Sequence, residues 1–115
     1  MVKRSDERTY AQNKAFNGSG EMRAFKLIDT PEELYGKGRL FNHCTLLKDC
    51  EVGWHIHKGD GEFYYVLKGE GEYSDNGNIV TLKAGDVAFC PDGEGHSIIN
   101  RKDEPFEMIA LIIYN

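Results

Sequence analysis

Residues 53–69 read Gly53-Trp-His55-Ile-His57-Lys-Gly-Asp-Gly-Glu62-Phe-Tyr-Tyr-Val-Leu-Lys-Gly69. Side chains alternate along a β-strand, so His55 and His57 would lie on one face of a strand, about 6.6 Å apart. The composition of Lys58 to Gly61 is typical of a turn, because its two glycines can adopt positive φ angles. Glu62 would then begin a second strand beside the two histidines. The segment therefore predicts two strands that bring three ligand-type side chains together.

The predicted second strand, Glu62 to Lys68, has apolar side chains on both of its faces. Tyr64 and Val66 follow Glu62 on one face, and the other face is formed by Phe63, Tyr65 and Leu67. Strands of this composition are usually covered on both sides. We therefore expect this strand to be buried on both faces, with Glu62 pointing into the interior.

A second stretch, residues 85–100, reads Gly85-Asp-Val-Ala-Phe-Cys-Pro91-Asp-Gly93-Glu-Gly-His96-Ser-Ile-Ile-Asn100. We expect a strand from Asp86 to Cys90, a turn at Pro91 to Gly93, and a further strand from His96 to Asn100. Proline lacks the amide hydrogen that a sheet interior needs, so it suits the end of a strand. His96 is therefore a third histidine in a strand bordered by turns.

Four side chains are candidate ligands of one metal ion: His55, His57, Glu62 and His96. Three imidazoles and a carboxylate suit Mn, Fe, Co, Ni, Cu or Zn, whereas Ca and Mg prefer shells made entirely of oxygen. A six-coordinate ion with four protein ligands keeps two positions for water, oxygen or a substrate. His43 lies in no comparable sequence context, and we expect it not to be a ligand.

These two stretches resemble the two motifs of the cupin superfamily. The first motif falls on residues 55–69 and consists of His-x-His, then Glu after four residues and Gly after six more. The second motif falls on residues 85–100. Together with their connecting segment they cover Gly53 to Asn100. The chain departs from the family pattern at Asp49, where cupins usually have glycine. The resemblance implies a double-stranded β-helix, or jelly-roll barrel, holding one divalent transition metal, with Mn or Fe favoured.

The remaining patterns also predict an all-β domain. Strands are expected at Arg39 to Lys48 and at Phe106 to Tyr114, the latter in the core, and Asp75-Asn76-Gly77 predicts a hairpin turn. One short helical turn is predicted after Thr30, with Pro31 at its first position and Glu33 completing a capping box. We expect residues 1–20 to be an N-terminal arm or tail and residues 21–115 to form a single cupin domain.

The charge and hydrophobicity of the chain limit the classes of partner that it could bind. The net charge of −5 and the lack of a basic block argue against nucleic acid. No apolar run approaches the roughly 20 residues of a membrane span, and the start of the chain has no signal-peptide core, so a cytoplasmic protein is expected. The odd number of cysteines predicts free thiols, mostly buried, with Cys90 immediately before Pro91 of the second motif.

Three functions remain open at this point. The resemblance extends to small single-domain bacterial cupins, some of them oxalate-decarboxylase-like, and implies an oxidoreductase or lyase that acts on a small carboxylate or related oxygenated acid. A sugar-type isomerase or epimerase and a non-catalytic small-ligand-binding cupin are the alternatives. The candidate catalytic residues are Tyr64 and Glu94 for protons and Arg39, with Lys58, for substrate charge. Small cupins also resemble one another in forming homodimers, which we expect here.

Overall fold

The structure is a computed structural model that describes residues 1–115, and it consists of two antiparallel β-sheets with two short 3-10 turns. The 3-10 turns are Ser5–Glu7 and Pro31–Leu34. The strands are β1 (Tyr10–Asn13), β2 (Met22–Lys26), β3 (Gly38–Leu46), β4 (Glu51–Ile56), β5 (Asp60–Lys68), β6 (Glu70–Asp75), β7 (Asn78–Lys83), β8 (Val87–Cys90), β9 (Gly95–Ile99) and β10 (Phe106–Tyr114). No helix has the length and apolar character needed to cross a membrane. The all-β prediction is confirmed.

The two sheets contain six and four strands. The order is β1-β2-β3-β10-β5-β8 in the larger sheet and β4-β9-β6-β7 in the smaller one. Consecutive strands such as β4 and β5 lie in different sheets, as in a jelly roll. The core lies between the sheets, and its largest fully buried side chains include Tyr73, Phe106, Leu46, Ile98 and Met108.

Two local predictions are confirmed. Asn76 and Gly77 have φ angles of 50° and 100°, and they connect β6 to β7 in a two-residue hairpin turn. The 3-10 turn Pro31–Leu34 begins after Thr30, whose amide donates a hydrogen bond of 3.2 Å to the Glu33 carboxylate. Both features depend on neighbouring residues alone, which is why the sequence was sufficient to predict them.

The prediction for β5 is wrong in two respects. The strand begins at Asp60 rather than Glu62, and Tyr65 and Leu67 on its outer face are exposed. Only the inner face, which carries Glu62, Tyr64 and Val66, is buried. The outer face remains exposed because no layer of this chain covers the outside of the larger sheet.

Residues 10–20 lie against both sheets of the same chain. Strand β1 pairs with β2, and Ala15 forms an isolated bridge with Val52 of β4. The connection between β1 and β2 therefore crosses from the larger sheet to the smaller one. This crossing places Phe16 at the edge of the cluster formed by the candidate ligands.

Candidate metal centre

A register shift in β4 aligns two of the candidate ligands. Val52 pairs with Ile98, but His55 pairs with His96, so β4 has one more residue than β9 between these two pairs. Gly53 lies in this bulge, and a Cβ atom there would be only 2.2 Å from the carbonyl oxygen of Phe16. The bulge therefore places the imidazoles of His55 and His96 side by side.

His55, His57, Glu62 and His96 form a cluster that could hold a metal ion. One donor atom from each residue lies within 4.8 Å of the other three. His96 Nε2 is 3.0 Å from His55 Nε2, 3.1 Å from His57 Nε2 and 3.0 Å from Glu62 Oε1. The cluster lies between the two sheets, since β4 and β9 belong to the smaller sheet and β5 to the larger.

The second ring nitrogen of each histidine points away from the cluster. His55 Nδ1 donates to the Gly53 carbonyl at 2.8 Å, and His57 Nδ1 donates to the Asp60 carboxylate at 2.6 Å. His96 Nδ1 shares a hydrogen bond of 2.9 Å with the Tyr73 hydroxyl. In the neutral tautomers that these acceptors select for His55 and His57, Nε2 carries a lone pair directed into the cluster.

The donor geometry fits a transition metal. Two donors about 2.1 Å from one ion and at right angles are about 3.0 Å apart. The separations of 3.0 and 3.1 Å from His96 Nε2 to its three neighbours match this value. Glu62 Oε1 lies somewhat farther from the other two imidazoles, at 3.3 Å from His57 Nε2 and 3.8 Å from His55 Nε2. Lone pairs at such distances repel one another unless a proton or a cation lies between them. The cluster therefore has a composition and a spacing that could hold a divalent metal ion.

Electrostatics favour the protonation states that a cation needs at Glu62 and His96, but not at His57. Burial would raise the pKa of Glu62, but the three histidines beside its carboxylate outweigh burial and hold this pKa well below its usual range. Burial lowers the pKa of His96, although Glu62 opposes the shift. The Glu62 carboxylate raises the pKa of His57, with burial opposing and Asp60 adding to the rise. At neutral pH the cluster thus offers an ionised carboxylate and a neutral His96.

A cavity of about 90 Å³ adjoins the cluster on one side. His55 and Glu62 line it, and ten of its fourteen lining residues are hydrophobic. Its volume is several times the roughly 10–15 Å³ that one water molecule requires. The open positions of an ion bound to the cluster would therefore face a small, mainly apolar space that could admit a small molecule.

The other candidate residues differ in their distance from this cavity. Tyr64 lines it and stacks on the His96 ring with 5.0 Å between centroids, and burial, together with Glu62, raises the pKa of Tyr64. Arg39 also lines it. The side chains of Glu94 and Lys58 do not, and Glu94 contributes only its carbonyl, which accepts from the His57 amide.

The remaining histidine and the cysteines lie outside the cluster. His43 Nε2 is 2.8 Å from Glu107 Oε1 on the larger sheet. All three cysteines are free, with Cys44 and Cys90 buried. Cys44 lines the cavity, and burial raises its pKa to about 12, so it carries no thiolate at neutral pH.

Three residues near the cluster were not identified from the sequence. Asp60 was assigned to a turn, yet its carboxylate joins His57 to Arg39, whose Nε donates to it at 2.8 Å. Tyr73 contacts His96, and Phe16 stacks on His55. A carboxylate three residues after a histidine could have suggested Asp60, since such groups often orient metal ligands. No local signal indicates the other two.

Replacing Asp60 with asparagine is expected to weaken divalent metal binding by about 10- to 100-fold. The amide is uncharged and its NH2 group can also donate to Nδ1, so it favours less strongly the His57 tautomer that directs a lone pair into the cluster. Isothermal titration with Mn²⁺ and Zn²⁺ measures the change. Asp103→Asn is the control, because Asp103 is 93% exposed and contacts only Lys48. Equal affinities for the two variants would contradict an orienting role for Asp60.

Comparison with known proteins identifies the family. The cupin domain profile matches residues 42–114, which include all four clustered side chains. The chain therefore belongs to the cupin family, as its two motifs predicted. Among proteins of similar sequence, an oxalate-binding protein of Thermotoga maritima is 42% identical over 114 residues, covering 98% of this chain and 93% of the relative.

Solved structures agree on the fold. A Thermotoga maritima protein described as a predicted oxalate decarboxylase superimposes with a TM-score of 0.94 and 41% identity, with full coverage of both chains. KdgF from Halomonas superimposes with a TM-score of 0.76, covering 100% of this chain and 94% of its own, but is only 16% identical. The second similarity supports the fold alone.

The departure from the cupin pattern at Asp49 leaves the turn before the site intact. Asp49 has a φ angle of 63°, in the left-handed region where glycine is favoured. Aspartate tolerates this region better than most residues. The Asp49 amide donates to the Asn100 carbonyl at 2.6 Å, and the Asn100 amide donates to the Cys50 carbonyl at 3.1 Å. These hydrogen bonds tie the turn to the end of the second motif.

Proposed function

We propose that this protein binds a dicarboxylate of the oxalate class at a divalent metal ion held by His55, His57, Glu62 and His96. The observation that carries the proposal is the cavity, which meets the four-donor cluster at His55 and Glu62 and has a volume of only about 90 Å³. A ligand that reaches the ion through this space must be small. Oxygen donors suit an ion that is already bound by a carboxylate and imidazoles.

Arg39 supports the assignment of an anionic ligand. Its Nε is engaged by Asp60, whereas its two Nη nitrogens form no hydrogen bond within the chain. The side chain lines the cavity and remains 44% exposed. A guanidinium with two free donors can bind a carboxylate in a bidentate manner. We infer that Arg39 neutralises the part of the ligand that is not coordinated to the ion.

The 42% identical relative supports the same ligand class, since it is named an oxalate-binding protein. For the metal we favour Mn or Fe, because oxygen-rich ligands and a mixed nitrogen and oxygen donor set suit both ions. When bound, such an ion would supply a Lewis acid that coordinates and polarises a carboxylate. The residues of the chain would orient the ligand, exclude water and balance its charge.

Decarboxylation is the second candidate function, and Tyr64 favours it. The Tyr64 side chain lines the cavity, and its raised pKa keeps the hydroxyl protonated at neutral pH, so it can donate a hydrogen bond to a carboxylate. Glu62 is the only carboxylate in the cavity wall, and the cluster already engages it. Binding without turnover is therefore our first proposal. Release of formate and carbon dioxide from oxalate would favour decarboxylation instead.

The ligand proposal is tested with protein loaded with Mn²⁺ and titrated with oxalate in a calorimeter. We expect one oxalate per chain and no binding after a chelator has removed the metal. Arg39→Gln should bind oxalate about 10- to 100-fold more weakly, because a charge-assisted hydrogen bond contributes about 1.5–3 kcal/mol. Metal content is measured in each sample, so that loss of the ion is separated from loss of the ligand.

Arg101→Gln is the matched control for this experiment. Arg101 also donates through Nε to a carboxylate, that of Glu72 at 3.1 Å, but it lies on the surface outside the cavity. Its replacement is expected to leave oxalate affinity unchanged. Oxalate binding that persists in the metal-free protein would contradict the proposed function, and unchanged affinity in Arg39→Gln would remove Arg39 from the site.

A further inference from the structure

Phe16 lies directly against one of the candidate ligands. Its ring stacks on His55 with 3.8 Å between centroids and only 9° between the planes. The same side chain lines the cavity beside the cluster, yet the residue is 59% exposed. An apolar side chain with this exposure gains little of the free energy that burial provides. The position of Phe16 is therefore poorly explained by packing into the core.

The backbone around Phe16 is held in an unfavourable conformation. Phe16 and Asn17 both have positive φ angles, 48° and 59°, although neither is glycine. The Ala15 carbonyl accepts hydrogen bonds of 3.0 Å from the amides of Gly18 and Gly53, which clamp the turn onto β4. Non-glycine residues kept in this region are strained, and such residues concentrate at ligand-binding positions. The clamp fixes the backbone of the segment that carries the ring, which stacks on His55 at the edge of the cavity.

We propose that Phe16 determines ligand size, by forming the wall that restricts the open coordination positions to a two-carbon dicarboxylate. This inference rests on the proposed function and extends it from ligand class to ligand length. His55 and Glu62 are the two cluster residues that line the cavity, and Phe16 covers the His55 side. A longer acid coordinated there must displace the ring from its stack on His55.

A purely structural role makes a different prediction. If Phe16 only held the His55 ring in place, its removal would weaken metal binding and would affect all ligands of the ion equally. A size-limiting role instead changes the ratio of affinities between short and long acids. One additional methylene in a closed pocket changes affinity by roughly 10- to 200-fold, so the ratio is a sensitive measurement.

The test uses protein loaded with Co²⁺, whose visible absorption reports on ligands that enter the open positions. Wild type, Phe16→Ala and Tyr10→Ala are each titrated with oxalate, malonate and succinate. Tyr10 is the control, because it is an exposed aromatic of the same N-terminal segment that packs on Phe25 away from the cavity. We expect wild type and Tyr10→Ala to prefer oxalate over malonate by at least about tenfold, and Phe16→Ala to reduce that preference at least about tenfold.

An unchanged preference in Phe16→Ala, with cobalt still bound, would overturn the inference. If wild type responds to no dicarboxylate, the proposed function fails, and the role of Phe16 is then measured with azide and the bulkier 2-methylimidazole as probes. A selective gain for 2-methylimidazole in Phe16→Ala would still support the size limit, and an equal response would overturn it. Absence of a cobalt spectrum in wild type would overturn both proposals.

Discussion

Replacing Glu62 with glutamine is expected to weaken divalent metal binding by roughly 100-fold or more. Four-ligand zinc sites bind with about 10–16 kcal/mol, so one ligand contributes about 3–4 kcal/mol, or two to three orders of magnitude in affinity. Glutamine has almost the same volume but no charge. Its amide can also donate to the histidine Nε2 atoms, which lie 3.0 to 3.8 Å from Glu62 Oε1, and so occupy the lone pairs that an ion needs.

Competition titration against a chelator of known affinity measures this change for Mn²⁺ and Zn²⁺. Glu107→Gln is the matched control, since the Glu107 carboxylate also contacts a histidine, His43 at 2.8 Å, but lies outside the cluster. Circular dichroism verifies that both variants are folded. Glu62→Gln protein that binds metal within about threefold of wild type would remove Glu62 from the proposed ligand set.

Replacing Phe106 with alanine is expected to lower the free energy of unfolding by about 3–5 kcal/mol. Phe106 begins β10 at the centre of the larger sheet and is 0% exposed, so its removal leaves a cavity between the two sheets. A domain of this size is usually stable by only about 5–15 kcal/mol. The melting temperature should therefore fall by about 10–20 °C.

Urea unfolding and thermal scans of metal-free protein measure this loss without a contribution from ion binding. The control is Phe89→Ala, because Phe89 is 43% exposed on the outer face of the larger sheet, where it stacks on Phe63. Its replacement is expected to cost about 1 kcal/mol or less. Equal losses in the two variants would contradict the assignment of the core to the space between the sheets.

The four candidate ligands could be predicted from the sequence because each lies in a short motif of neighbouring residues. His55 and His57 are two residues apart, and a turn of glycines separates them from Glu62, so their proximity follows from strand geometry. The hairpin at Asn76 and Gly77 and the 3-10 turn after Thr30 were predicted for the same reason. His96 required the second motif, since its distance from the others depends on how β4 pairs with β9.

The features around the cluster could not be predicted in this way. The bulge at Gly53 has no signature in the spacing of apolar residues, although it aligns His55 with His96. Asp60 was assigned to a turn because glycines surround it, whereas in the structure it is the first residue of β5. The outer face of β5 was expected to be covered because its residues are apolar. Composition shows how apolar a strand is, but it does not show whether another layer of the protein covers that strand.

The sequence by itself determined the family, the all-β fold and the four donors of a candidate metal site. These depend on residue types at fixed positions within the two motifs and on the alternation of side chains along single strands. Only the tertiary structure decided what surrounds those donors. Arg39 on β3 reaches Asp60 on β5, and Phe16 reaches His55 from the connection between β1 and β2. Contacts between residues so distant in the chain arise from the way the two sheets pack. The side on which the cavity opens, and the size of ligand we propose it admits, were therefore properties of the folded protein.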